Sequence, residues 1–169
     1  ANAKLGFSSK ATMAAAQKLY QAGKITYMRT DSVNLSGQAI AAATEFIKRL
    51  YGPEYSTVRK FKTKSTSAQE AHEAIRPTDI SRESVTSNEY DQKLYDLIRR
   101  RTLASQMSPA KLEKTTIIIN IVSESTNNPT KLHFEAKGEV IVFDGFLRIY
   151  GASKEELLPK LSSGDELET

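Results

Sequence analysis

Over residues 1–108 apolar side chains recur three and four positions apart, and beyond Pro109 the spacing falls toward two. The first period belongs to helices buried on one face, the second to half-buried strands. Ser8 or Ser9 can cap a helix that runs to about Gln21, with Gly23 as its stop. Residues 24–28 are short and partly β-branched, which predicts an extended piece or a strand. Residues 29–34 are rich in side chains that bond to backbone, and predict a turn. Ser36 opens a second helix with Ile40, Ala43, Ile47 and Leu50 on one stripe, closed by Gly52-Pro53. Order weakens from Tyr55 to Ser67, and residues 68–75 then predict a short helix stopped by Pro77, which biases Ile75-Arg76 toward extended geometry. Thr86-Ser87-Asn88-Glu89 has the form of a capping box in which Thr86 and Glu89 satisfy each other's ends. The helix it opens carries Tyr90, Leu94, Leu97, Ile98 and Leu103, and Pro109 lies just past its end.

Beyond Pro109, residues 115–122 are β-branched and strand-like, residues 131–137 alternate, and residues 140–150 read as a strand interrupted at Asp144-Gly145. Residues 125–130 form a turn cluster, and there is no internal repeat. The expectation is an α+β chain: a mainly helical domain over residues 1–108, then an antiparallel β segment over residues 109–169.

Composition narrows the classes. Of 169 residues 39% are hydrophobic, enough to bury a core. There is no cysteine, so disulfides and thiolate metal sites are excluded, and His72 and His133 stand alone without zinc spacing. No apolar run approaches the roughly 20 residues of a membrane helix, and no signal-peptide pattern is present. A cytoplasmic protein without a membrane partner is expected. The chain starts Ala1-Asn2-Ala3 with no initiator Met and reads as an excised piece. Its net charge of +4 is uneven: residues 1–108 hold 17 Lys and Arg against 10 Asp and Glu, residues 109–169 hold 7 against 10. A basic half suggests a polyanionic partner, although an ordinary solvated surface accounts for the charge equally well.

One short stretch carries candidate chemistry. A phenol, with an ordinary pKa of about 10, attacks a phosphodiester poorly while protonated. The phosphate gains negative charge as the bond forms, so a fixed cation must lie beside it. Arg29 follows Tyr27 by two residues, which on an extended piece places both side chains on one side. A guanidinium can hold two phosphate oxygens at once. By itself Tyr-x-Arg is common, and a packed tyrosine beside a surface arginine explains it more simply. Thr30-Asp31-Ser32 can be a turn that satisfies its own backbone, or one that fixes the angle of Tyr27 and Arg29. His72 could donate a hydrogen bond to a phosphate, although a lone histidine is more often structural. The basic run Arg59, Lys60, Lys62 and Lys64 fits backbone tracking of a single strand, with Phe61 as a stacking platform, and fits a basic linker as well. Tyr20, Tyr51 and Tyr55 could stack on bases or belong to the core.

Longer stretches are more specific. Ile25-Thr26-Tyr27-Met28-Arg29-Thr30-Asp31-Ser32, reached through Leu19-Tyr20-Gln21-Ala22-Gly23-Lys24, resembles the active-site motif of type IA DNA topoisomerases. Met28 is similar to the bacterial topoisomerase I branch, since the topoisomerase III branch typically has proline there. Ala71-His72-Glu73-Ala74-Ile75-Arg76-Pro77-Thr78 resembles the family's second signature. Leu5-Gly6-Phe7-Ser8 resembles the start of the family's tyrosine domain, and Gln106-Met107-Ser108-Pro109-Ala110 the join to the next domain. Lys137-Gly138 through Phe143-Asp144-Gly145-Phe146 resembles strands of the hinge-like β domain.

The resemblance implies an ATP-independent topoisomerase that cuts and reseals one DNA strand, relaxing negative supercoils at the bacterial nucleoid. It implies that Tyr27 forms a 5′-phosphotyrosyl link, that Arg29 contacts the scissile phosphate, and that His72 lies close by and supports cleavage. Glu73 and Arg76 would be structural, as an ion pair that orients the segment. The tyrosine domain would be distantly similar to helix-turn-helix folds, and the β segment would lack partner strands, leaving exposed edges. The family takes Mg²⁺ ligands and a catalytic glutamate from a Toprim domain, and no Asp-x-Asp-x-Glu pattern occurs here. This chain is therefore expected to bind no metal, to partner single-stranded DNA and the other domains of its polypeptide, and to lack efficient activity alone. A tyrosine recombinase is the nearest rival, but its His-x-x-Arg box is one residue shorter than His72 to Arg76 and its tyrosine comes last. A helical DNA-binding module without chemistry is the other.

Overall fold

The computed structural model describes residues 1–61, 72–120, 133–151 and 164. It is an α+β chain that divides into two compact units, one of residues 1–109 and 145–150 and one of residues 110–144 and 151–169.

In the first unit, α1 (Asn2–Leu5) ends at Gly6, whose φ of +68° suits a residue without Cβ. Helix α2 (Ser9–Gln21) starts where the sequence placed it, with the Ser8 hydroxyl accepting the Ala11 N–H at 3.2 Å. Helix α3 (Gly37–Tyr51) is capped by Ser36 through the Ala39 N–H at 3.3 Å. It buries Ala39, Ile40, Ala43, Phe46 and Ile47, whereas Leu50, expected on the same stripe, is 56% exposed and Tyr51 packs against the core in the last turn. A 3₁₀ turn follows at Pro53–Tyr55. Helix α4 (Glu89–Ser105) begins two residues later than the expected box: Asn88 is the cap and accepts the Asp91 N–H at 3.0 Å. Thr86 instead accepts the Asn88 N–H, and Glu89 pairs with Lys93 one turn on. Asn is as strong a cap as any, so it takes the position once helix φ/ψ begins at Glu89.

Among the described residues two apolar clusters hold this unit. Phe7, Ala15, Ala16 and Leu19 pack with Ile25, Met28, Leu94 and Tyr95. Phe46, Ile47, Leu103 and Met107 form the other, with Tyr51, Tyr55, Ile80, Phe146 and Ile149 against it. The Tyr95 ring is buried and its hydroxyl donates to the Arg82 carbonyl at 2.8 Å, with the Asp79 carbonyl 3.2 Å away. Burial raises its pKa above the ordinary value. Tyr90, expected on the apolar stripe, is 63% exposed and meets the core at the Phe7 ring.

Residues 72–75 are not helical; residues 68–71 of the expected helix lie outside the described residues. The expected strand after Gly145 is absent. There the chain turns at Gly145 (φ +49°) into α5 (Leu147–Tyr150), and the Phe146 N–H donates to the Ser108 carbonyl at 2.9 Å.

The second unit holds an antiparallel pair, β1 (Lys111–Asn120) and β2 (His133–Phe143), with Ile117 opposite Ala136 and Asn120 opposite His133. Residues 121–122 and 131–132, expected as strand, and the turn cluster at 125–130 lie outside the described residues. Ile118, Phe134 and Val142 are more than 60% exposed. Among the described residues the sheet has these two strands, and two strands alone cannot bury both of their faces. Among the described residues no helix is long and apolar enough to cross a membrane.

Candidate active site

The tyrosine segment leaves α2 at Gly23 (φ +66°) and is pinned at two points. Ile25 is 1% and Met28 6% exposed, both in the α2–α4 core, while Tyr27 between them is 48% exposed. Burying two such side chains is worth roughly 3–6 kcal/mol together, enough to hold a short stretch that has little regular hydrogen bonding. The expected strand is only a single bridge, Ile25 opposite Pro77, and the chain bends at Thr26, Met28 and Arg29. Strict alternation is therefore lost at Thr26. From Tyr27 onward side chains still go out, in, out, and Arg29 is exposed like Tyr27. The Tyr27 ring rests edge-on against Tyr20 of α2, with centroids 5.1 Å apart. Arg29 has no carboxylate partner among the described residues.

The histidine segment is laced to this one, 48 to 50 residues away in sequence. The Thr26 hydroxyl donates to the Ala74 carbonyl at 2.8 Å and accepts the Arg76 N–H at 2.9 Å. The Thr26 N–H donates to the Arg76 carbonyl at 2.9 Å, and the Thr78 N–H to the Lys24 carbonyl at 3.0 Å. Thr78 also donates its hydroxyl to the Gly23 carbonyl at 2.7 Å. Thr26 directly precedes Tyr27, and Ala74 follows His72 by two. The fold thus brings the Tyr27 and His72 segments side by side, with His72 exposed.

Glu73 and Arg76 form a two-pronged ion pair, Nε to Oε1 at 2.7 Å and Nη2 to Oε2 at 3.0 Å. The same carboxylate accepts the Ser36 N–H at 2.8 Å, and the Ala74 N–H donates to the Asn34 carbonyl at 2.8 Å. The pair therefore ties the histidine segment to the cap of α3. Partial burial pushes the Glu73 pKa up, but the bonds from Arg76 and Ser36 and the Arg76 charge outweigh it and hold the carboxyl below its ordinary value.

The basic run is placed only in part. Arg59 is half-buried and Lys60 exposed, while Lys62 and Lys64 lie outside the described residues. The backbone of Arg59 is gripped by Gln106, which is fully buried: its Oε1 accepts the Arg59 N–H at 3.0 Å and its Nε2 donates to the Arg59 carbonyl at 3.1 Å. Ser108 adds bonds to the Tyr55 and Glu54 carbonyls. Sequence reasoning missed the roles of Thr26 and Gln106. Both stand inside quoted stretches, but their partners are tens of residues away.

A half-exposed tyrosine held out between buried anchors, with an arginine two residues on and a histidine segment bonded alongside, is an arrangement suited to attack on a phosphodiester. The family profile described as DNA topoisomerase matches residues 1–169, and the chain belongs to that family. Its likenesses place it in the type IA topoisomerase I branch. DNA topoisomerase 1 of Aquifex aeolicus is 44% identical over 170 residues, covering 99% of this chain and 31% of that protein. DNA topoisomerase 1 of Zymomonas mobilis is 44% identical over 155 residues, covering 90% of this chain and 12% of that protein. The structure of full-length topoisomerase I from Thermotoga maritima matches with a TM-score of 0.78 at 31% identity, over 97% of this chain and 27% of that one. The chain thus spans less than a third of the length of these relatives.

Proposed function

We propose that Tyr27 is the nucleophile with which the parent enzyme cuts one DNA strand. Its phenolic oxygen gives up its proton and attacks phosphorus, the bond from phosphorus to the 3′ oxygen of the neighbouring nucleotide breaks, and that oxygen takes up a proton in turn. The 5′ phosphate stays on the tyrosine. Return attack by the 3′ hydroxyl reseals the strand, and because one phosphodiester is exchanged for another no ATP is required. Arg29 holds the phosphate oxygens as charge builds. His72 donates a hydrogen bond beside them. Strand passage through the open cut relaxes negative supercoils.

The observation that carries this reading is the exposure of Tyr27 between two buried anchors. Among the described residues no three His, Asp or Glu side chains gather as a metal site. On this reading Mg²⁺, which would offset phosphate charge, is held elsewhere in the polypeptide, and this chain alone cuts DNA poorly. Arg59 and Lys60, with Lys62 and Lys64, would track the strand.

The test uses the full-length polypeptide and end-labelled single-stranded DNA, with adducts trapped by denaturant. Wild type is expected to carry a 5′-linked adduct; Tyr27→Phe should carry none and still bind DNA. An adduct on Tyr27→Phe, or a 3′ link, would overturn the assignment, the latter in favour of recombinase-type chemistry.

A further inference from the structure

We propose that a small apolar cleft beside the tyrosine segment receives one base of the strand that Tyr27 cuts; the inference rests on the strand-cutting reading above. The cleft has a volume of about 270 Å³. Ligand pockets usually run to ~300–1,000 Å³, so this one suits a single flat heterocycle.

Its walls come from both signature stretches. Ser32, Val33 and Leu35 belong to the turn that follows Arg29, and Ala74 and Ile75 follow His72. Phe61 and Arg101 of α4 also line it. Val33, Phe61 and Ile75 are 47%, 41% and 37% exposed. Three large apolar side chains around one small opening mark a binding surface more than a solvated one. Arg101 is exposed and has no carboxylate partner among the described residues. An apolar cleft with a cation at its edge matches a base and its attached phosphate, since stacking and charge neutralisation are supplied together. Ser32 lies three residues past Arg29 and Ala74 two past His72, so the occupant we assign is a nucleotide of the same strand.

The hydroxyls at the cleft are engaged with backbone. Ser32 accepts the Asn34 N–H, Thr102 donates to the Ile98 carbonyl and Ser105 to the Thr102 carbonyl.

The experiment uses the full-length polypeptide carrying Tyr27→Phe, so that binding is read without cutting. Affinity is measured for single-stranded oligonucleotides in which one abasic site is moved through each position near the cut. One position is expected to weaken binding about tenfold, as loss of a stacked base does. Phe61→Ala or Ile75→Ser should weaken the intact strand by a similar factor and add nothing once that base is missing. A 5-iodouracil at the same position should photo-crosslink at the cleft. Additive losses, no sensitive position, or unchanged affinity in both variants would overturn the proposal. So would variants that lower only thermal stability while the cleft resists crosslinking, the result if another part of the polypeptide covers it. These outcomes are independent of the adduct assay, so failure here leaves the assignment of Tyr27 standing.

Discussion

Replacing Thr26 by valine tests the lacing between the two signature stretches. Valine keeps the shape and the β-branch, but removes a hydroxyl that donates to the Ala74 carbonyl at 2.8 Å and accepts the Arg76 N–H at 2.9 Å. Each bond is worth about 0.5–1.5 kcal/mol net, and a buried partner left unsatisfied costs somewhat more. Both bonds are only partly buried, so the total should be about 2 kcal/mol. The neighbouring backbone bonds, Thr26 to Arg76 and Thr78 to Lys24, survive, and the variant should still fold. For a unit of this size the loss lowers the Tm by roughly 6–10 °C, read by helical circular dichroism. The functional effect should exceed the stability effect, because a shift of about 1 Å between reacting groups can cost as much as a hundredfold in rate. In the full-length enzyme, adduct formation should slow by about 10–100-fold while DNA binding changes little. Thr26→Ser, which restores the hydroxyl, should recover most of both losses. If valine is as stable and as fast as threonine, or serine is as impaired as valine, the hydroxyl is not what aligns the segments.

Two further outcomes follow from the same geometry. Glu73 has its carboxyl held below the ordinary 4.5 by Arg76 and Ser36 against the effect of burial, so its contribution to stability is present above that value and lost as pH falls through the folded one. Urea unfolding at stepped pH between about 5 and 3 should show wild type losing more stability than Glu73→Gln; equal slopes would mean the ion pair is not felt. At Gly145 an added Cβ would lie 2.5 Å from the Ser108 carbonyl oxygen and 2.6 Å from that of Pro109, in a backbone already at φ +49°. Gly145→Ala should therefore cost about 2–5 kcal/mol, from left-handed strain and overpacking combined. Chemical denaturation checks this, and a loss under 1 kcal/mol would show that the turn relaxes freely.

Much of the helical unit was legible because helix formation is local. Ser8 and Ser36 cap the helices they were expected to cap, since a side-chain oxygen three residues from an unpaired N–H needs no distant partner. The misreadings have local and non-local causes. Thr86 gave way to Asn88 because two good caps stood two residues apart. The expected helix at 68–75 is non-helical over 72–75, where the Ala74 N–H is committed to Asn34 and its carbonyl to the Thr26 hydroxyl. The expected strand after Gly145 became α5, where Phe146 and Ile149 join the Phe46–Met107 cluster. In both cases tertiary partners overrode a weak local preference.

The eight residues from Ile25 to Ser32, with the histidine stretch, were enough to point to the family, because a motif is a run of neighbours along the chain. That Tyr27 projects into solvent depended on Ile25 and Met28 finding a core made by α2 and α4. That His72 lies alongside depended on Thr26 and Thr78 meeting, through hydroxyl and backbone, chain some fifty residues away. Residue types and local periodicity are properties of neighbours along the chain. The exposure of a side chain and the pairing of distant segments arise only once apolar burial has chosen which parts of the chain meet.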